Sequence, residues 1–500
     1  MLKQEFIQNA KQLLPDDYQA FEASLETEPP VSIRINPSKH AAPDLYGKGD
    51  HTVNDPIVGD KAQKETGQDA GALSGIKKVP WCETGYYLPK RPFFTFDPLF
   101  HAGTYYVQEA ASMFPEQALL KIFADTEFLR DRITVLDLCA APGGKSTHIQ
   151  ALLPENSLLV SNEAIRSRAM ILSGNIAKWG RADNIVTHND PKTLGRLTHL
   201  FDLILADLPC SGEGMFRKYP PGRDKWSSDN VKLCASRQKR IIRDVWECLK
   251  PGGYLIYSTC TFNTEENEDN VFILTEELGA ELIPVPVKEE WNIAGALRHD
   301  IPAYRFFPHR TQGEGFFLAL MRKNDKTADT KVIKAGHQND KRPLTIPDPI
   351  KNMLLRADRY IFRTGPGATN DDPKTSGKQA GSLYAIPAVH ENIYTILSER
   401  LNVLSAGIRL GEFKGADFLP SASLALSTEL NTSAFPAVEL SCERAIAYLQ
   451  REAVTMPEGT PKGYALVTYK GTPLGFVKNT GTRANNLYPR EWRIRSRKSP

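Results

Sequence analysis

The stretch ITVLDLCAAPGGKSTHIQALL, residues 133–153, places a β-rich run directly before a glycine pair and a helix. The run closes at Ala140, and the helix begins near Gly143 and Gly144. Glycines at such a turn let backbone amides approach a ligand at the start of a helix, where the helix dipole favours a negative group. The stretch therefore predicts a strand, a ligand-binding turn and a helix in succession.

Two familiar nucleotide-binding motifs fit this turn poorly. A phosphate-binding P-loop would end correctly in Lys145 and Ser146, but it requires a glycine where the chain has Cys139. A dinucleotide fingerprint requires the spacing G-x-G-x-x-G, which the turn lacks. An acid at the end of the next strand, Glu163, would nevertheless suit the ribose of any adenosine-type cofactor.

Beyond this stretch, strand-like and helix-like runs alternate up to residue 323. The strand-like runs are SLLVSNEA, DNIVTHND, FDLILADLP, YLIYSTCTF and GEGFFLALMRK, and the helix-like runs are SRAMILSGNIAKWG and NVKLCASRQKRIIRDVWECLK. Continuous apolar strands alternating with helices are typical of a parallel sheet buried on both faces. We therefore predict a doubly wound, Rossmann-like α/β fold, in which ligands bind beyond the carboxyl ends of the strands.

Acids follow three of the predicted strands. Glu163, Asp190 and Asp207 each end a strand-like run and would face the glycine turn across one edge of the sheet. A single acid at a strand end is more often a helix cap than a ligand. Three together favour a cofactor with a ribose, an adenine amino group and a cationic centre. That description suits S-adenosylmethionine better than a nicotinamide dinucleotide.

Composition is that of a multidomain globular protein. The 500 residues exceed one hydrophobic core, and 41% hydrophobic with 24% charged residues is ordinary for soluble proteins. Because no stretch reaches the ~20 apolar residues that span a bilayer and no secretion signal is visible, we expect a cytoplasmic protein. Seven cysteines without CxxC spacing argue against disulfides and against a zinc site. The net charge of +3 is weak evidence for a nucleic-acid partner, which must be argued from local charge.

Two cysteines follow predicted strands at the ligand-binding edge. Cys210 comes after Asp-Leu-Pro and before the turn Ser-Gly-Glu-Gly, and Cys260 lies between two threonines at a strand end. Most free cysteines are buried packing residues, which suits Cys234 and Cys248 in the long helix but suits the strand-end pair poorly. Carbon 5 of cytosine becomes nucleophilic when a thiolate adds to carbon 6, and the product must then be released. Two neighbouring cysteines could supply the nucleophile and assist the release.

Three motifs, LDLCAAPGGKS, ADLPCSGEGMFRK and YSTCTFNTEENE, closely resemble those of the NOP/Sun family of RNA (cytosine-5) methyltransferases. The segment GTYYVQEAASM, residues 103–113, looks like the family's entry to the first strand, and the match covers roughly residues 85–323. The resemblance implies S-adenosylmethionine-dependent formation of 5-methylcytosine through a cysteine-linked intermediate. It implies Cys260 as the nucleophile, Cys210 in product release and Asp207 beside the cytosine and the cofactor. The residues that it assigns to the cofactor are Cys139, Ala140, Ala141, Pro142, Gly143, Gly144, Lys145, Glu163, Asp190 and Asp207.

Polar and basic segments predict how the rest of the chain is organised. The predicted division is an N-terminal RNA-binding-like α+β domain 1–102 with a long polar loop at 40–78, a catalytic domain 103–323, a linker 324–343, a mixed α/β domain 344–455 and a C-terminal domain 456–500. The last domain alternates like a small β-barrel, and Tyr488 and Trp492 interleaved with arginines favour RNA contacts over a merely solubilising tail. It resembles the PUA-like domain that closes bacterial ribosomal RNA members of the NOP/Sun family.

These features together predict an RNA substrate. Small-subunit ribosomal RNA is the first choice, and transfer RNA is the alternative for the same chemistry. A cytosine inside a duplex cannot expose its ring face to a thiolate, so the base must be unstacked or lie in a loop. Lys145 and Lys218 are candidates for phosphate or base contacts. We expect a monomer that needs no metal and no membrane; rivals of other classes are a non-catalytic assembly factor and a nicotinamide oxidoreductase.

Overall fold

The computed structural model describes residues 2–39, 75–126, 128, 131–324, 344–365, 381–415, 417–481 and 483–496. Most of the predicted loop 40–78 and of the predicted linker 324–343 lies outside these residues. The end of the predicted loop is a strand instead, because Lys77–Lys78 pairs with the following strand. In the part of the chain that the structure describes, we find no helix with the length and apolar character needed to cross a membrane.

The helices and strands fall into three consecutive groups. The N-terminal group is α1 (Gln4–Leu13), α2 (Tyr18–Ser24), β1 (Val31–Ile35), β2 (Lys77–Lys78), β3 (Gly85–Leu88), α3 (Pro98–Ala102) and β4 (Tyr105–Val107). The central group is α4 (Pro115–Phe123), β5 (Thr134–Asp137), α5 (Gly144–Leu152), β6 (Leu158–Asn162), α6 (Arg166–Trp179), β7 (Asn184–Thr187), α7 (Pro191–Leu194), β8 (Phe201–Asp207), α8 (Pro221–Lys225), α9 (Ser228–Val245), β9 (Leu249–Thr259), α10 (Glu268–Leu278), β10 (Ala280–Leu282), β11 (Ala303–Phe306) and β12 (Phe316–Lys323). The C-terminal group is α11 (Asp348–Lys351), β13 (Tyr360–Thr364), β14 (Ser382–Pro387), α12 (Glu391–Arg400), β15 (Val403–Ala406), β16 (Ile408–Lys414), β17 (Asp417–Pro420), α13 (Ala422–Ala425), β18 (Ala437–Glu439), α14 (Cys442–Leu449), β19 (Gly463–Tyr469), β20 (Thr472–Asn479) and β21 (Ala484–Asn486).

The central sheet has the strand order β10-β12-β9-β8-β5-β6-β7-β15, with β11 paired to β12. Strands β5 to β9 are parallel, which confirms the predicted Rossmann-like α/β core. Neighbouring side chains of one strand enter opposite cores, because Val135 packs in one apolar cluster and Leu136 in the other. Burial on both faces explains why these strands are apolar without alternation.

Two strands of the sheet are not parallel to their neighbours, and the predicted end of β5 is wrong. The closing strand β12 runs antiparallel to β9, and β15 runs antiparallel to β7. An antiparallel neighbour needs no helical crossover, so β12 follows β11 through a loop. Strand β5 also ends at Asp137 rather than at Ala140. The chain leaves the sheet there, since the Leu138 N–H bonds to β8 and the Ala140 N–H bonds to β6.

Two further sheets of four strands, β13-β14-β16-β17 and β18-β19-β20-β21, are C-terminal. The segment 344–455, predicted as one domain, therefore contributes strands to three sheets, including β15 in the central one. Tyr488 was predicted to contact RNA, but it is fully buried and packs edge-on against Tyr448 with ring centroids 5.5 Å apart. Its side chain completes an apolar core and is not available for base stacking. Trp492 is half-buried, and Lys178 of α6 lies over its ring.

The first two helices cover the loops that follow β8 and β9. Phe6 of α1 packs edge-on against Phe216, with ring centroids 5.1 Å apart, and Phe21 of α2 packs against Phe262 at 5.0 Å. All four rings belong to one buried cluster. Burying a phenylalanine contributes about 2 kcal/mol, so this cluster stabilises the loops that carry the two predicted site cysteines.

Candidate active site

A cavity opens at the carboxyl end of β5, where the glycine turn leads into α5. Gly143 precedes α5 with φ of 110°, a left-handed conformation that favours glycine, and an added Cβ would lie 3.2 Å from Leu172. The residues that line the cavity are Tyr106, Val107, Gln108, Glu109, Ser112, Asp137, Cys139, Ala140, Ala141, Pro142, Gly144, Lys145 and Asp207. The structure thus brings the predicted turn together with Asp207. Gly143 does not line the cavity, but its left-handed conformation sets the course of the turn into α5.

One wall of this cavity comes from β4 and the residues after it. The Tyr106 hydroxyl donates to the Pro142 carbonyl at 3.3 Å. The side chain of Gln108 accepts from the buried Arg34, which also donates to the Gly144 carbonyl at the start of α5. The sequence marked this segment only through its resemblance to an entry segment. A short strand with aromatic and polar residues could have indicated that this segment lines the site.

The other two predicted acids lie elsewhere. Glu163 is buried at the end of β6, where its carboxylate accepts from the Ile165 N–H at 2.9 Å and pairs with Arg168 at 3.1 Å. Asp190 caps α7, since it accepts from both the backbone N–H and the hydroxyl of Thr193, at 3.0 and 2.9 Å. Neither acid lines the cavity. The helix-cap alternative accounts for Asp190, and the cofactor role of both acids remains a prediction.

Asp137 is a buried acid of the cavity wall that the sequence analysis missed. One of its oxygens accepts from the Ser146 hydroxyl at 2.6 Å, and the other, Oδ1, is buried without a hydrogen-bond partner among the described residues. Burial raises the pKa of Asp137 from 3.8 to about 7, although the Ser146 hydrogen bond opposes the change. A buried acceptor without a partner beside the glycine turn fits a polar ligand that brings a donor.

Asp207 connects the cavity with the predicted cysteines. Its two oxygens accept from Lys145 and from the Ser258 hydroxyl, each at 2.9 Å. Burial opposes the charge on Lys145, but the attraction of Asp207 raises its pKa overall. Lys145 is therefore an internal partner of Asp207 in this structure, whereas the other predicted RNA-contacting lysine, Lys218, is exposed.

The two strand-end cysteines face each other. The sulfur atoms of Cys210 and Cys260 are 3.1 Å apart, and both residues are half-buried. Cys234 and Cys248 are buried, as a packing role predicts. The hydrogen bond to Cys260, followed by burial, raises the pKa of Cys210 well above its ordinary value. Cys210 thus keeps its proton, and the two sulfur atoms lie within hydrogen-bond distance of each other.

Each cysteine loop also carries a buried glutamate that was not predicted from the sequence. Glu213 is 2% exposed and Glu266 is fully buried. Burial raises the pKa of Glu266 to about 7. Their contacts become visible only when the two loops are placed side by side, and runs of acids in a sequence usually indicate a solvated face.

Within the described residues, Cys82, Glu116 and His148 form a buried group whose ligand atoms are close enough to hold a metal ion. The Nε2 atom of His148 lies 2.8 Å from Glu116 and 3.6 Å from the sulfur of Cys82. Burial lowers the pKa of His148 to about 4, and burial also raises that of Cys82, so the ring and the thiol are neutral. Close contacts join the carboxylate, the imidazole and the thiol in this group.

A larger cavity, of about 310 Å³, lies away from the glycine turn. The charged side chains in its wall are already paired, Arg356 with Glu429 and Arg359 with Glu155. It does not touch the carboxyl ends of β5 or β8, and none of the predicted site residues lines it. The smaller cavity, of about 160 Å³, is the one that the predicted glycine turn and Asp207 line.

Models of known protein families match three parts of the chain. The model described as 16S rRNA methyltransferase RsmB/F matches residues 128–322. The N-terminal domain of 16S rRNA methyltransferase RsmF matches residues 59–110, and the PUA domain of methyltransferase RsmF matches residues 435–494. The last match confirms the predicted PUA-like end of the chain, with a start earlier than residue 456.

Individual proteins are similar over most of the chain. Ribosomal RNA small subunit methyltransferase F of Aliivibrio fischeri (strain MJ11) is 32% identical over 423 residues, which are 83% of this chain and 85% of the relative. Its namesake from Erwinia tasmaniensis is 29% identical over 496 residues, with 97% and 95% covered. A solved structure of a methyltransferase homolog protein from Pyrococcus horikoshii has 27% identity and a TM-score of 0.51, and covers 64% of this chain and 95% of that one. The similarity therefore includes both the catalytic core and the regions that flank it.

Proposed function

Since the chain belongs to the family of ribosomal RNA small subunit methyltransferase F, we propose that it forms 5-methylcytosine in 16S ribosomal RNA with Cys260 as the nucleophile. The enzyme uses S-adenosylmethionine, which supplies a methyl group on a positively charged sulfur. The observation that carries the assignment of roles is the 3.1 Å separation of the two sulfurs at the ends of neighbouring strands.

The cofactor would be held by the turn 139–145 with Asp137 and Asp207. Glycine at 143 lets the chain turn tightly into α5, whose first two residues, Gly144 and Lys145, line the cavity. Lys145 balances the charge of Asp207, so the acid is fixed between the cofactor cavity and the cysteines. The unpartnered Oδ1 of Asp137 would gain a hydrogen bond when a donor group enters.

In the proposed mechanism the thiolate of Cys260 adds to carbon 6 of an unstacked cytosine. A bond forms between sulfur and carbon 6, and the electron pair of the ring double bond moves to carbon 5, which becomes nucleophilic enough to take the methyl group. Carbon 5 then loses its proton to solvent, the double bond re-forms and the Cys260 thiolate leaves. The Cys210 thiol, 3.1 Å away, is placed to donate a hydrogen bond to that departing thiolate and so to assist its release.

The relatives favour ribosomal RNA over the transfer RNA alternative, because both are named for the small ribosomal subunit. A substrate in the ribosomal subunit supports the cytoplasmic location that we propose for the enzyme. We further propose that it acts as a monomer and requires no metal. The basic C-terminal region, with its PUA match, would hold RNA through Lys and Arg contacts to phosphates.

Methylation of purified small-subunit RNA with labelled cofactor tests the proposal. Cys260→Ala should abolish incorporation, because nothing else activates carbon 5. Cys234→Ala, a change of the same kind at a buried cysteine of α9, should retain activity. Bisulfite sequencing should place the product on cytidine; incorporation into transfer RNA alone, or activity in Cys260→Ala, would contradict the assignment.

Cys210→Ala tests the division of labour between the cysteines. Without the thiol that assists the departure of the Cys260 sulfur, the covalent protein–RNA species should accumulate and appear as a slower band on a denaturing gel. The double variant Cys210→Ala with Cys260→Ala should show no such band. An adduct that forms equally in wild type and Cys210→Ala would rule out the release role.

A further inference from the structure

Glu213 projects from the loop of one cysteine into the loop of the other. One carboxylate oxygen accepts three hydrogen bonds from the Cys260 loop, from the Thr261 hydroxyl at 2.8 Å and from the Phe262 and Asn263 N–H groups at 2.9 Å each. Its other oxygen accepts from the indole N–H of Trp226 at 2.8 Å. All four contacts come from hydrogen-bond donors, so both carboxylate oxygens act as acceptors.

Glu266 makes the reverse connection. It follows Cys260 in the chain, and its carboxylate accepts from the backbone N–H of Ser211, directly after Cys210, at 3.0 Å. It also accepts from the amides of Gln238 at 2.7 Å and Asn263 at 2.8 Å. Thus the loop of each cysteine binds the carboxylate that the other loop presents.

We propose that Glu213 and Glu266 are reciprocal positioning residues, which hold Cys210 and Cys260 in the facing arrangement that the reaction requires. The inference rests on the proposed roles of the two cysteines. Each carboxylate binds a group that adjoins a cysteine in the chain, Thr261 beside Cys260 for one and Ser211 beside Cys210 for the other. A change in either contact therefore moves a sulfur atom directly.

Burial shows why these contacts determine position. A buried carboxylate without partners is costly, so the loops reach low energy only when their donors converge on it. The loops are joined further by the Gly214 N–H, which donates to the Cys260 carbonyl at 2.9 Å, and by the hydroxyls of Ser211 and Thr261, 2.8 Å apart. Charged acceptors make the stronger bonds in such a network, so they fix the separation of the loops.

Glu266→Gln tests the proposal, because glutamine keeps the size of the side chain but turns an amide N–H toward groups that are all donors. Glu265→Gln is the matched control, since Glu265 is the preceding residue and is exposed. Two quantities should be measured for each folded variant. One is methyl transfer, as kcat and as KM for S-adenosylmethionine. The other is the rate at which diamide, an azo compound that oxidises two thiols to a disulfide while it becomes a hydrazine, joins Cys210 to Cys260.

We expect Glu266→Gln to lower both kcat and the rate of disulfide formation by about tenfold or more, because a displacement below 1 Å suffices for such losses. KM for the cofactor should stay within about twofold, since Glu266 does not line the cavity. Glu265→Gln should match the wild type in all three quantities. Glu213→Gln should repeat the result from the opposite loop.

Unchanged disulfide formation and unchanged kcat in folded Glu266→Gln would overturn the positioning role. Slower disulfide formation with unchanged kcat would instead refute the proposed roles of the two cysteines, because Glu266 would position them in an arrangement that the reaction does not need. A loss of kcat accompanied by an equal loss in Glu265→Gln would also overturn the proposal. Mass spectrometry of the joined peptides identifies the disulfide in every case.

Discussion

Replacing Asp137 by asparagine should make the cofactor-free protein more stable at alkaline pH. The carboxyl group is fully buried at the end of β5, and one of its oxygens has no hydrogen-bond partner among the described residues. Asparagine keeps the shape and the acceptor for the Ser146 hydroxyl but cannot ionise. The variant therefore removes a buried negative charge and leaves the packing in place.

The magnitude follows from the pKa of this group. A rise in the pKa from 3.8 to about 7 in the folded protein lowers the unfolding free energy by about 4 kcal/mol at pH values where Asp137 is ionised in both the folded and the unfolded state. Because the folded state favours the protonated acid, the contribution of Asp137 to the unfolding free energy is most favourable below about pH 4. That contribution is lost as the pH rises through about 7. Between about pH 5 and about pH 8, Asp137 should cost the wild type about 3 kcal/mol that the asparagine variant does not lose.

Urea unfolding of the cofactor-free proteins at these two pH values measures the effect. The unfolding free energy of Asp137→Asn minus that of the wild type should increase by about 3 kcal/mol from about pH 5 to about pH 8. Asp190→Asn is the control, because hydrogen bonds from Thr193 lower the pKa of that exposed acid and give no alkaline effect. A difference between Asp137→Asn and the wild type that stays constant with pH would refute the reasoning.

Two further substitutions test the packing of the site. Gly214→Ala should lower methyl transfer by about a hundredfold, because its Cβ would lie 2.8 Å from the Cys260 carbonyl oxygen. Gly212→Ala on the same loop meets no atom within 4 Å and should cost only about 1 kcal/mol for its positive φ; equal activity of the two variants would contradict this explanation. Glu268→Gln should lower the unfolding free energy by about 3 kcal/mol, since it leaves the buried Arg305 without its ionic partner. Urea titration measures that loss, and a loss below about 1 kcal/mol would show that the pair contributes little.

The sequence contained enough to predict the core of the site. Parallel strands end at one edge of a sheet, so Asp207, Cys210 and Cys260, each at or just after the end of β8 or β9, had to lie near one another. The glycine turn was recognisable because its residues follow β5 directly. In both cases the residues stand directly after a strand in the sequence, and the parallel topology brings the ends of these strands together.

Other parts of the site required the structure. Asp137 could not be recognised because it is one residue of a buried strand. Tyr106 of β4 and Gln108, which follows β4, reach the cavity from outside the central sheet, since β4 belongs to the N-terminal sheet β2-β3-β1-β4. Asp190 was grouped with the other acids because a helix cap and a ligand look alike at a strand end. Strand β15 joins β7 across more than two hundred residues, and antiparallel pairing at a sheet edge leaves no mark in either segment.

The central claim is that the sulfur of Cys260 bonds to carbon 6 of the target cytosine. RNA that carries 5-fluorocytidine tests it directly. In this nucleotide fluorine replaces the hydrogen that carbon 5 must lose as a proton, so the ring double bond cannot re-form and the covalent species persists. After reaction with S-adenosylmethionine and digestion, mass spectrometry should find the nucleotide on the peptide that contains Cys260. A nucleotide attached to Cys210, or no covalent species from an enzyme that methylates ordinary RNA, would contradict the account.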